Sequence, residues 1–125
     1  MKIIESTDSE SFVAPYQSLE VARLNEALKA NGISSREVRR AICEQYFFDQ
    51  GAFIDGGWFM AEGTRVGPVL AYAIRDAGGT IKELHLPEPN TGSMYHEYAH
   101  GAVAWLFDDK KEDASEIDVG DWAQE

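Results

Sequence analysis

Asn31-Gly32-Ile33 divides two stretches of helical periodicity, and this punctuation constrains the fold more than any other feature of the chain. Before it, Leu19 to Asn31 places Val21, Leu24, Ala27, Leu28 and Ala30 at helical spacing, Ser18 can cap the start, and Gly32 suits the left-handed residue that ends the helix. After it, Ser34-Ser35-Arg36-Glu37 is a capping-box pattern that opens a second helix, carrying Val38, Ala41, Ile42, Tyr46 and Phe47 to about Gln50. A three-residue connection forces the two helices into an antiparallel or crossed pair.

The remaining segments are shorter. Residues 5 to 11 are polar and read as loose, and Phe12-Val13-Ala14 as a short strand or an anchor. Gly51 to Gly57 breaks the helical pattern, and Trp58-Phe59-Met60-Ala61 reads as a short buried strand. Residues 67 to 77 read as a third helix, with Pro68 in its first turn and Gly78-Gly79 as its stop; a hairpin strand is the alternative. Thr80 to Leu86 reads as a strand ended by Pro87 and Pro89. Ser93 to Phe107 is apolar around its whole circumference, which predicts a central, buried fourth helix.

At 125 residues, 44% of them hydrophobic, the chain suffices for one core. The predicted architecture is a single α+β domain over 1–125, mostly helical with about four helices and a small two-stranded sheet. A loose segment, 1–11, precedes it and an acidic tail, 108–125, follows. No apolar run approaches the roughly 20 residues that cross a bilayer, and the first residues lack the pattern of a signal peptide, so a cytoplasmic protein without membrane contact is expected. The lone Cys43 has no internal disulfide partner and falls in a helical apolar pattern, as a buried structural thiol does.

His96-Glu97-Tyr98-Ala99-His100 reads H-E-x-x-H. On a helix the two imidazoles project from one face a turn apart, and both can reach one zinc ion at roughly 2.0–2.1 Å. Glu97 would be the catalytic base acting on a metal-bound water. The uncharged flanks resemble the zincin metallopeptidase pattern, in which such a helix lies beneath the cleft. The third ligand is unknown: no histidine follows His100, whereas Glu112, Asp113, Glu116, Asp118 and Asp121 all offer carboxylates at usable separations.

Charge points elsewhere. Of 22 acidic and 11 basic residues, eight acids and only Lys110 and Lys111 fall in 108–125, so the net −11 is concentrated in that tail. Such a field repels nucleic acid and steers the molecule towards basic surfaces. Within the tail, Ile117, Val119 and Trp122 punctuate Asp113, Glu116, Asp118 and Asp121, giving apolar anchors in an acidic setting for a partner. The leading reading is a small acidic interaction protein, of the inhibitor, immunity or anti-defence type, that covers a basic surface of a protein partner and needs no cofactor. A minimal zinc metallopeptidase is the alternative. A third reading rests on Leu28 to Ala41, which resembles a DNA-binding helix-turn-helix with Arg36, Arg39 and Arg40 towards phosphates; the acidity of the chain makes nucleic acid an unfavoured partner.

Overall fold

The computed structural model describes residues 1–5, 10–87, 95–108, 117, 119 and 120. In chain order the elements are β1 (Lys2–Glu5), α1 (Glu10–Ala30), α2 (Arg36–Gly56), β2 (Phe59–Ala61), β3 (Thr64–Val66), β4 (Tyr72–Arg75), β5 (Ile81–Leu86) and α3 (Tyr95–Asp108). The fold is α+β and mostly helical. Among the described residues there are three helices where about four are predicted, and two small sheets where one is.

The α1–α2 corner forms as its residues dictate. Gly32 takes φ +90°, open to glycine without strain, and the Ile33 amide returns to the Leu28 carbonyl at 2.9 Å. Ser35 caps α2, its hydroxyl accepting the Val38 N–H at 3.2 Å. The cap therefore stands one residue later than the Ser34–Glu37 box places it. Both helices outrun their predicted limits. Helix α1 begins at Glu10, so Phe12-Val13-Ala14 forms helical turns and not a strand, with Pro15 inside the helix on an exposed position. Helix α2 continues through Gly51 to Gly56, across the predicted break.

Helix α3 is the hub. Its Ala99, Ala102, Val103, Leu106 and Phe107 pack with Val21 and Ala22 of α1 and Cys43 and Phe47 of α2 in one buried cluster. Tyr95 is buried as well, and the Gln17 side-chain amide donates to its carbonyl at 2.8 Å. The Cys43 thiol lies wholly inside, where burial pushes its pKa up to about 11, so it is a packing residue and not a nucleophile.

Residues 67–77 are not helical. Tyr72–Arg75 forms β4, paired antiparallel with β5 in the register Tyr72↔His85 and Ala73↔Leu84. The turn between them is built by Asp76, whose Oδ1 accepts the Gly78 and Thr80 amides at 2.9 and 3.0 Å while Gly79 takes φ +87°. Four hydrogen-bonding positions in a ladder outweigh the helical preference of scattered alanines. The other neighbour of β5 is β1, parallel to it from Lys2↔Glu83 to Glu5↔Leu86, so the sheet order is β1-β5-β4. Residues 2–5 of the segment expected to be loose are thus a strand. Phe12 and Tyr16 of α1 hold this sheet to the helices through ring contacts with Tyr72 at 5.4 and 5.8 Å.

The second sheet is the hairpin β2–β3, turned by Glu62 and Gly63 at φ 50° and 77°. Two positive φ values are the type I′ requirement; Glu62 meets it at a cost that asparagine or glycine would avoid. Among the described residues no helix is long and apolar enough to cross a membrane.

Candidate functional site

The H-E-x-x-H residues stand at the start of α3, and an acid from another helix determines their arrangement. Asp55, in the last turn of α2, points its carboxylate at the first turn of α3: Oδ1 accepts the Tyr95 N–H at 2.9 Å and Oδ2 the His96 N–H at 2.9 Å. The ring Nδ1 of His96 also bonds to Oδ2. Asp55 is therefore a helix cap supplied from 40 residues away, placed where the positive end of the α3 dipole favours an anion.

With Nδ1 bonded to a carboxylate, Nε2 is the ring nitrogen left for an outside partner. Glu97 Oε1 lies 3.9 Å from that nitrogen. His100 follows one turn on, exposed, its ring 5.3 Å from Phe48, which also meets His96 edge-on at 6.4 Å. Both imidazoles thus flank one phenyl ring of α2, as the i, i+4 spacing predicts. Glu97 is more than half exposed, His100 is exposed and the His96 side chain is partly so. Among the described residues no three His, Cys, Asp or Glu side chains are grouped to hold a metal ion. The acids at 112, 113, 116, 118 and 121, which offer a third ligand in the sequence, lie outside the described residues.

Asp55 escaped sequence reasoning because it falls in a glycine-rich stretch that reads as a break. A signal did exist. An acid in the final turn of a helix opposes the dipole of that helix, and such a misfit is resolved when the carboxylate serves the N-terminus of another.

The predicted tail site divides. Ile117 is half-buried and, with Ala14, Pro15 and Ser18 of α1 and Tyr98, Gly101, Ala102 and Trp105 of α3, lines a cleft of about 400 Å³. Val119 is half-buried too. Asp113, Glu116, Asp118, Asp121 and Trp122 lie outside the described residues.

The three arginines of the helix-turn-helix reading are bound within the protein. Arg39 is not on a solvated face: it is buried, donating to Asn25 Oδ1 at 2.8 Å and to the Ile33 and Ser34 carbonyls at 3.0 and 2.7 Å, and so ties the α1–α2 corner together. Arg36 donates to the Phe107 carbonyl at the end of α3, where a cation suits the dipole. Arg40 pairs with Asp108 and, at 3.1 Å, with Glu44. Their backbone spacing matches a recognition helix, yet their guanidinium groups secure helix ends.

A second cleft, about 410 Å³, lies between α1 and α2 beside Tyr16, Glu20, Arg23, Leu24, Tyr46 and Phe47. Burial among these rings raises the Glu20 carboxyl to about 7 and the neighbouring Tyr72 phenol to about 12, Tyr72 sharing a hydrogen bond with Tyr95. The folded pKa of Glu20 is above the unfolded value of 4.5. The folded state then holds its proton longer, so stability falls as pH rises from about 4.5 to about 7 and is level beyond. Glu20→Gln, neutral throughout, should gain melting temperature over the parent as pH is raised through that window. A difference that stays flat from pH 4.5 to 8 would contradict this burial effect.

Exposed apolar side chains adjoin one another on the hairpin. Trp58, Phe59 and Met60 are 51, 47 and 57% exposed, and Phe53, Val66 and Val69 add to them. Strand alternation sends Trp58 and Met60 to one face and Phe59 to the other. On the first face Arg65 lies over the Trp58 ring at 4.4 Å; on the second, Phe59 pairs with Val66 and approaches Phe53 at 6.4 Å. No family model, curated protein or solved structure matches this chain.

Proposed function

We propose that this is a small interaction protein of the inhibitor type, without catalytic activity of its own, that docks on a basic surface of a protein partner through its hairpin and the end of α2. One observation carries the reading: a two-stranded hairpin with three-residue strands presents large apolar side chains to solvent on both faces. Such a hairpin is marginal alone, and soluble chains seldom expose adjoining tryptophan, phenylalanine and methionine unless a surface covers them. Tryptophan is the residue type most often found at the energetic centre of interfaces. The net charge of −11 supplies the steering, drawing the protein towards positive partners at rates that fall with salt.

The reading places the contact on β2–β3, and the acids at 113, 116, 118 and 121 with Trp122 serve as the long-range attraction and a second anchor. Ile117, turned to the chain's own cleft, fixes the root of that segment. The conditions inside a nuclease channel or a toxin active site, positive and lined with donors, match this chemistry.

The test is affinity capture from source-cell extract by the parent and by a Trp58→Ser, Phe59→Ser, Met60→Ser variant, at low and high salt, followed by titration of any captured protein. The reading expects a partner of basic surface whose binding is about 30-fold weaker or worse for the variant, a hot-spot loss of about 2 kcal/mol, and weaker for the parent as salt rises. Equal binding by variant and parent, or capture indifferent to salt, would sink it.

A further inference from the structure

The interaction reading leaves His96 and His100 unused, and the geometry around them points to a separate property. We propose that these two imidazoles form an open surface site for one divalent transition-metal ion of the imidazole-preferring class, zinc or copper(II), with Asp55 as the carboxylate that orients the first ligand.

Three features on two helices converge on this assignment. The i, i+4 spacing on α3 brings the rings to one side of the helix, and their shared contact with Phe48, at 6.4 and 5.3 Å, shows that side to be the same in fact as well as in pattern. Asp55 fixes His96 through Nδ1, which leaves Nε2 as the ring nitrogen available to a metal ion. A metal-bound histidine characteristically gives its other ring N–H to a carboxylate, a bond that sets the tautomer and strengthens the ligand. Asp55 is itself held in place by the Tyr95 and His96 amides, so the orientation exists before any ion arrives. Pre-organisation of this kind is what separates a metal ligand from a casual surface histidine.

The chemistry of the donors selects the ion. Neutral imidazole nitrogen favours zinc, nickel and copper, and affinity rises along the divalent series to copper, whereas magnesium prefers oxygen and keeps its water. With two protein nitrogens, water fills the remaining positions, and the carboxylate of Glu97, 3.9 Å from Nε2 of His96, adds a favourable charge beside the ion. The site opens outward, so a donor brought by another molecule could replace one of those waters.

Titration of chelator-treated full-length protein with zinc chloride, and separately with copper(II), decides the matter. One ion per chain should bind, magnesium chloride should give no signal, and the copper(II) spectrum should carry nitrogen ligation. His100→Ala, at an exposed position, keeps the fold by circular dichroism and should lose the zinc isotherm. Asp55→Asn should weaken zinc binding about 10- to 100-fold, the usual loss when a supporting carboxylate is removed. An affinity unchanged in His100→Ala, or no heat and no copper signal from the parent, would overturn the assignment. Unchanged affinity in a folded Asp55→Asn protein would remove Asp55 from it.

Discussion

Gly51→Ala should lower the melting temperature by about 10 °C or more, although alanine is the better helix former. Gly51 lies mid-helix in α2, buried where the first turn of α3 crosses it. A Cβ built there would stand 2.6 Å from the His96 amide nitrogen and 2.8 Å from the Tyr95 carbonyl carbon and the His96 Cα. All three are backbone atoms of a helix start, and no rotamer change relieves them. The helices would have to separate, opening the cluster around Cys43 and Ala99. Overpacking of a rigid core costs up to about 3 kcal/mol and sometimes more, against a gain of about 1 kcal/mol from helix propensity. Gly101→Ala gives the internal control. Gly101 is exposed in α3, and a Cβ there meets nothing within 4 Å; the same change should stabilise by about 0.5–1 kcal/mol. Thermal melts followed by circular dichroism read both. A Gly51→Ala protein melting within about 2 °C of the parent would show that α2 and α3 are not so close.

That glycine also shows where sequence and structure part. Gly51 reads locally as a helix breaker, because a residue without a side chain weakens a helix in isolation. Its actual role depends on a contact with residues 95 and 96, more than 40 positions later, which no local pattern contains. Strand β1 escaped for the same reason: it pairs in parallel with a segment about 80 residues away, and Lys2-Ile3-Ile4-Glu5 alone is too short to announce itself. In contrast, features whose cause is local were legible. The Gly32 corner, the start of α2 within one residue, the buried Cys43, the strand ending at Leu86 and the apolar girth of α3 all follow from nearest neighbours along the chain. Residues 67–77 lie between the two cases. Alanine content favoured a helix, but Asp76-Ala77-Gly78-Gly79 is hairpin-turn chemistry, and it was this turn, with β5 beside it, that decided the outcome.

The candidate sites follow the same division. The spacing of His96 and His100 is local and was visible; the carboxylate that gives His96 its orientation is not. Trp58 and Phe59 read as part of a buried strand, because an apolar run of four residues does not say whether anything covers it. Only placement in three dimensions shows that these side chains remain about half exposed.

Asp55→Ala should destabilise by about 3 kcal/mol and should do so from one end of one helix. The carboxylate accepts two backbone amides of α3 and the ring of His96. Loss of an N-cap costs about 1 kcal/mol, and hydrogen bonds to a charged group add about 1.5–3 kcal/mol. The site is nearly closed to solvent around Asp55, so water cannot fully replace it. Hydrogen exchange separates this from a general loosening: the amides of Tyr95 and His96 should lose protection at least as far as the global change, while Asn31–Ile33 and the first turn of α2 hold theirs relative to global unfolding. Uniform loss along all three helices would contradict the assignment of Asp55 as a cap. A double-mutant cycle with His96→Ala then isolates the ring bond from the two amide bonds, since the second substitution removes the imidazole but leaves the backbone donor in place. A coupling of about 1–2 kcal/mol is expected, because both partners are already held by the helix start that they share, and the entropy of bringing them together is spent before the bond forms. Coupling near zero would mean that the imidazole is free to turn, and the carboxylate would then cap α3 without orienting His96.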